Sequence, residues 1–175
     1  MDQDELRHLP TWVQDGVVSR RQILRFGGTD ADIARMLRRK DLVVIHPGVY
    51  VNHSGPLSRR QLAWAAVLFY WPAALARESA LPQPPARGVI HVAVDAKRTV
   101  RPVRGVVPHR TADFDARVRW NGSPPRITLE HSVIDVASAA ADRLEQFQVL
   151  ASACQTRETW PSAIAATLRG RARVR

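Results

Sequence analysis

The sequence predicts an α+β protein, and three patterns predict it. Two runs of strand length, Leu42–Ile45 and Val89–Val94, are β-branched or apolar at nearly every position and stop at turn or polar residues. The near-apolar stretch Leu62–Ala76 keeps helical spacing up to Pro72. From Thr128 onward, apolar residues return at intervals of three and four. The expected division is a helix–helix–hairpin unit over residues 1–53 and a mixed helix–strand domain over 57–175, joined by the short linker Asn52–Pro56.

In the first unit, a helix is expected over Leu6–Gln14. Pro10 belongs only in a first turn, which moves its start toward Leu9. Asp15-Gly16 ends it. Ser19 caps a second helix running through Phe26, with Ile23 and Leu24 inward, and Gly27-Gly28 stops it. Thr29 caps a third, Asp30–Lys40, whose first turn carries Asp30 and Asp32. Its spacing puts Ile33, Ala34 and Leu37 on one face and Asp32, Arg35, Met36 and Arg39 on another. Leu42–Ile45 then reads as a strand, His46-Pro47-Gly48 as a turn, and Val49–Val51 as the returning strand.

In the second unit, Ser58 caps a helix apolar nearly all round, from Leu62 to Ala73, the expected centre of the core. Pro82–Gly88 is a loop, Val89–Val94 a strand, and Val100–Pro108 an edge strand or two, because its prolines cannot donate to a ladder. Arg117–Trp120 reads as a short strand before the Asn121-Gly122 turn. The following helices carry two stripes, Leu129, Val133, Val136 and Ala137, then Leu144, Phe147, Ala151 and Cys154, with a last short helix over Ser162–Leu168. The basic run Arg169–Arg175 has no stop signal, so the natural chain is expected to continue.

Charge narrows the function classes. The 175 residues hold 26 Lys and Arg against 16 Asp and Glu, a net charge of +10. Residues 20–40 alone carry seven basic and two acidic groups, and residues 56–120 carry eleven and four. Such blocks point to an anionic partner, nucleic acid first. The longest apolar run is short of the ~20 residues that span a bilayer, and the acidic amino terminus does not start like a secretory signal. A cytoplasmic protein with no membrane partner is expected. One cysteine, Cys154, excludes an internal disulfide framework and a cysteine-rich zinc site.

Helix, turn, helix and hairpin within about 50 residues is the layout of a winged helix-turn-helix, in which the third helix enters the major groove and the hairpin lies over adjacent backbone. Arg35 and Arg39 are four apart and project together. Arg20 and Arg21 open the preceding helix, where phosphates are commonly met. Two other readings stay open: such units also serve as protein-docking modules, and Arg38-Arg39-Lys40 also suits the negative end of a helix.

For chemistry the sequence offers little. It has no P-loop, dinucleotide fingerprint, nucleophile elbow or His-Glu-x-x-His, so neither enzyme activity, a cofactor nor a metal is expected. One arrangement is kept as an alternative. Glu78 with Asp95-Ala96-Lys97 has the acid, acid-x-lysine order of a Mg²⁺-dependent nuclease, which makes a regulatory fragment of a nuclease the runner-up.

Val17-Val18-Ser19-Arg20-Arg21, Leu37–Val44 and His46-Pro47-Gly48-Val49-Tyr50 resemble the amino-terminal winged-helix domain of AbiEi-type antitoxins of type IV toxin–antitoxin systems. The likeness continues through Arg77–Leu81, Val89–Val94, Gly105–Arg110 and Ile134–Ala137. It implies duplex DNA as partner, autorepression at an operator, and a nucleotidyltransferase toxin as functional partner. It also places Arg35, Arg38 and Arg39 on the recognition helix, and Gly48 and Tyr50 in the wing. The full DNA-contact set expected is Arg20, Arg21, Arg35, Arg38, Arg39, Lys40, His46, Gly48 and Tyr50.

Overall fold

Residues 14–171 are described by a computed structural model. The helix expected over Leu6–Gln14 lies outside them except for Gln14, as does the end of the basic run. The fold is α+β, with two sheets and seven α-helices among the described residues.

Asp15 and Gly16 take left-handed backbone (φ 52° and 82°) and turn the chain into β1 (Val17–Ser19). The helices α1 (Arg20–Arg25) and α2 (Asp30–Arg39) follow, then β2 (Val43–His46) and β3 (Val49–Val51). The three strands form an antiparallel sheet in the order β1-β3-β2, with Val17 and Val43 both opposite Val51. Both helices begin with reciprocal caps, Ser19 with Gln22 and Thr29 with Asp32. Gly28 makes the turn between them possible, since a Cβ there would lie 2.6 Å from Ile23 Cγ2. Lys40, in left-handed conformation at φ 61°, closes α2.

One side of this sheet packs on α1 and α2 through Val18, Ile23, Ile33, Leu42 and Tyr50, with Met36 and Leu37 at the margin. The inward set of α2 therefore differs from the sequence reading: Met36 packs inward and Ala34 is exposed. The helix is rotated so that the larger thioether, rather than a methyl group, fills the gap.

The other side of the sheet packs on α3 (Arg59–Tyr70), where Val17, Val49 and Val51 meet Trp64, Ala65 and Leu68. The opposite face of the same helix supplies Ala63, Ala66, Val67 and Tyr70 to a second core built with Ile90, Val92 and Val94. A helix covered by a sheet on each side must be apolar all round, which accounts for its composition.

The second sheet has the order β6-β5-β4-β8-β7. Its strands are β4 (Ala74–Leu75), β5 (Ile90–Asp95), β6 (Val106–Thr111), β7 (Val118–Arg119) and β8 (Arg126–Ile127). β5 and β6 run parallel, as do β4 and β8. The edge strand expected over Val100–Pro108 is on the edge but begins later, and it accommodates Pro108 there. A 3-10 turn (Arg77–Ala80) follows β4, and the short α4 (Phe114–Arg117) precedes β7.

Three helices end the chain: α5 (Leu129–Ala139), α6 (Arg143–Gln155) and α7 (Pro161–Gly170). They share a core of Val133, Ile134, Ala153 and Ile164. The stripe expected on α6 is corrected by this packing. Val149, Leu150, Ala153 and Cys154 face the core, while Leu144 and Phe147 are 66% and 67% exposed. Only the later turns of α6 meet the core.

Candidate nucleic-acid interface

The exposed side of α2 and the turn of the β2–β3 hairpin carry the residues expected at a DNA surface. Arg35, Arg38, Arg39 and Lys40 are exposed along the last two turns of α2. Arg38 and Lys40 form no ion pair with a described residue, whereas three neighbouring arginines do. Arg20 makes a two-bond fork with Asp30, Nε to Oδ1 at 2.7 Å and Nη2 to Oδ2 at 2.6 Å. Arg35 donates to Asp32 one turn earlier, and Arg39 Nε lies 3.3 Å from Asp41. The Arg20 fork holds the Asp30 carboxyl below the usual carboxylate range. Asp32 is lowered first by the hydroxyl and N–H of Thr29, then by Arg35.

The remaining expected residues are placed as follows. Arg21 lies over Trp71: its guanidinium carbon is 5.5 Å from the centre of that ring, and burial, then Arg25 and Arg98, lowers its pKa. The His46 ring packs 5.5 Å from that of Phe69, and burial lowers its pKa. Tyr50 is 7% exposed and belongs to the core beneath α1 and α2, so its ring is not at the surface. Gly48, at φ 75°, holds the hairpin turn, and its carbonyl accepts from Arg20 N–H at 2.8 Å. That bond ties the hairpin to the first residue of α1.

No family model matches the chain, and no curated protein matches it.

The acid, acid-x-lysine order does not become one site. Glu78 Oε2 lies 3.4 Å from His91 Nε2, at the start of β5. Asp95 is four residues along that strand, about 13 Å away at the usual rise, and accepts from the Lys97 backbone N–H at 2.7 Å. Among the described residues no group of three His, Cys, Asp or Glu is placed to hold a metal ion.

Sequence reading missed the partner that Glu78 does have. His91 Nδ1 is 2.8 Å from His109 Nε2, and the rings stack at 5.1 Å. These residues share a sheet face only because β5 pairs parallel to β6 with Ala93 opposite His109. Nothing in their spacing announces that register. Burial, with Arg77 and His91 nearby, pushes His109 down to about 4. Also unforeseen are Arg59, Arg60 and Arg126, which meet around one cavity although 66 residues separate Arg60 from Arg126.

Proposed function

We propose that the chain is a DNA-binding transcriptional regulator of antitoxin-like type, in which β1 to β3 with α1 and α2 act as a winged helix-turn-helix. The observation that carries the reading is one helix, α2, exposing Arg35, Arg38, Arg39 and Lys40 beside a hairpin tied to α1. Residues 1–53 would be the DNA-binding domain and 57–175 the antitoxin-like domain. Autorepression and a nucleotidyltransferase toxin as functional partner rest on the sequence resemblance, and action in the cytoplasm is carried over from the reading of apolar runs and charge in the sequence. The proposed contact set leaves out Tyr50, Arg21 and His46, whose side chains are committed elsewhere.

The carboxylates on this face suit a reader of sequence. Exposed ion pairs contribute only about 0–1 kcal/mol, so a phosphate or a base edge can displace Asp32 or Asp41. Until one does, the acids weaken attraction to arbitrary duplex, which raises the ratio of specific to non-specific binding.

A titration of duplex from the protein's own promoter, against scrambled duplex and over a range of salt, tests the reading. Four cations meeting four phosphates give a log K against log salt slope of about −3.6. Arg35→Ala and Arg39→Ala are expected to weaken promoter binding more than scrambled binding, and Arg38→Ala to weaken both alike. A slope shallower than about −2, or equal losses in all three variants, would overturn α2 as the reading helix.

A further inference from the structure

A cavity of about 310 Å³ lies where the first turn of α3 meets β8 and the segment after the 3-10 turn. Arg59, Arg60 and Arg126 line it together with Ser79, and Leu75 and Ile90 form part of an apolar wall. No carboxylate is among its described lining residues.

The three arginines are held differently. Arg59 is fixed in place, donating to the carbonyls of Gly88 and Val89 at 2.6 and 3.0 Å. Arg60 is shared outward: its Nε is 2.9 Å from Asp15 Oδ2, and its Nη2 donates to Ser123 Oγ at 3.2 Å. The contact with Asp15 is close but not aligned, since Asp15 Oδ2 is buried with no hydrogen-bond partner. Arg126 is half-buried, and its guanidinium makes no hydrogen bond or ion pair with any described residue. Burial and the neighbouring Arg119 lower its pKa, Glu158 opposes this, and Arg60 adds to it. A guanidinium desolvated beside like charges and given no acceptor is costly unless an anion completes it.

We infer that this cavity binds a phosphate monoester, with Arg126 as its principal contact and Arg60 shared between the ligand and Asp15. Among the described residues, the three lining guanidinium groups against the Asp15 carboxylate leave an excess of about two positive charges, with Arg119 and Glu158 opposing each other nearby, and two is the charge of a monoester near neutral pH. A phosphodiester carries one. The planar fork of Arg126 suits two phosphate oxygens at once. The volume is at the small end of small-molecule sites, so the organic body on the Leu75 and Ile90 wall must be compact. Binding has a route to the first sheet, because Asp15 opens the turn into β1 and its carbonyl accepts from Gln61 at 2.8 Å. The site itself does not depend on the chain binding DNA.

Calorimetry on the full chain at fixed ionic strength tests the inference, with phenyl phosphate as probe and dimethyl phosphate as the diester control. Phenyl phosphate is expected to bind saturably with Kd below about 1 mM, and the diester at least tenfold more weakly. Arg126→Gln should weaken phenyl phosphate about tenfold or more. Asp15→Asn should tighten it, because a competitor for Arg60 is gone, and this variant carries the test if Arg126→Gln fails to fold. Arg38→Gln, on α2, should leave it unchanged. Equal weakening by Arg38→Gln and Arg126→Gln would mean general charge attraction and overturn the site. So would no saturable binding, unchanged or weaker binding in Asp15→Asn, or a loss in Arg126→Gln confined to duplex DNA.

Discussion

Asp30 forms the best-aligned ion pair on the candidate interface, and it holds Arg20 in a shape a phosphate would otherwise take. Asp30→Asn should release Arg20 and remove a negative charge next to the DNA backbone. Affinity for scrambled duplex, read by fluorescence anisotropy at low salt, is expected to rise about three- to tenfold, and the salt slope to steepen by about one. Unchanged affinity would place Arg20 away from the backbone. The cations of α2 were legible from their spacing. The burial of Tyr50 was not, because Val49, Tyr50 and Val51 are all buried. With helices on both sides of the sheet, alternation along β3 no longer separates inside from outside. His46 is a similar case, since only the position of Phe69 on α3 draws its ring inward.

Among the elements, the hairpin and α3 give the clearest expectations. A Cβ at Gly48 would meet only Arg20 Cβ, at 3.8 Å, so there is room, and the cost of substitution comes from φ 75° alone. Gly48→Val should lose about 1–2 kcal/mol in thermal unfolding and weaken DNA binding, while Gly48→Asn, which tolerates left-handed backbone, should lose less. Equal losses would point to a cause other than backbone strain. Trp64→Ala removes a 4% exposed ring from the first core and should cost about 3–5 kcal/mol in denaturant titration. A loss below 1 kcal/mol would mean that α3 is not the main support of the first sheet. The capped helices α1, α2 and α3 were readable because Ser19, Thr29 and Ser58 each precede a glutamine or aspartate by three residues. β1 was not, for Val17–Ser19 is too short to show a period and its partner lies more than 30 residues on. The inward face of α6 was also missed, because apolar residues occur on more than one side of that helix.

At the scale of the whole molecule, acid should loosen the fold. His109 and His131 are each pushed to about 4, His109 mainly by burial and His131 by burial and then Arg171 and Arg117. The unfolded chain takes up protons on both near pH 6.5 while the folded chain does not, so stability falls as pH drops from about 6.5 to 4 and flattens below. Thermal unfolding at pH 7, 5.5 and 4.5 is expected to show a steadily lower Tm, with a shallower decline in His131→Gln; a flat profile would contradict the burial of both rings. The α+β class and the order of the major elements were visible in the sequence. The sheet order β6-β5-β4-β8-β7 was not, because it depends on two-residue strands and parallel pairings that leave no local trace. The placement of α3 between the sheets has a practical consequence for anyone wishing to borrow the amino-terminal unit. Its hairpin and two helices cannot be lifted out by cutting at the linker, since that strips the cover from Val17, Val49 and Val51. A portable version must carry the chain through Tyr70, with the orphaned side of that helix repainted in polar residues at Ala63, Ala66 and Val67.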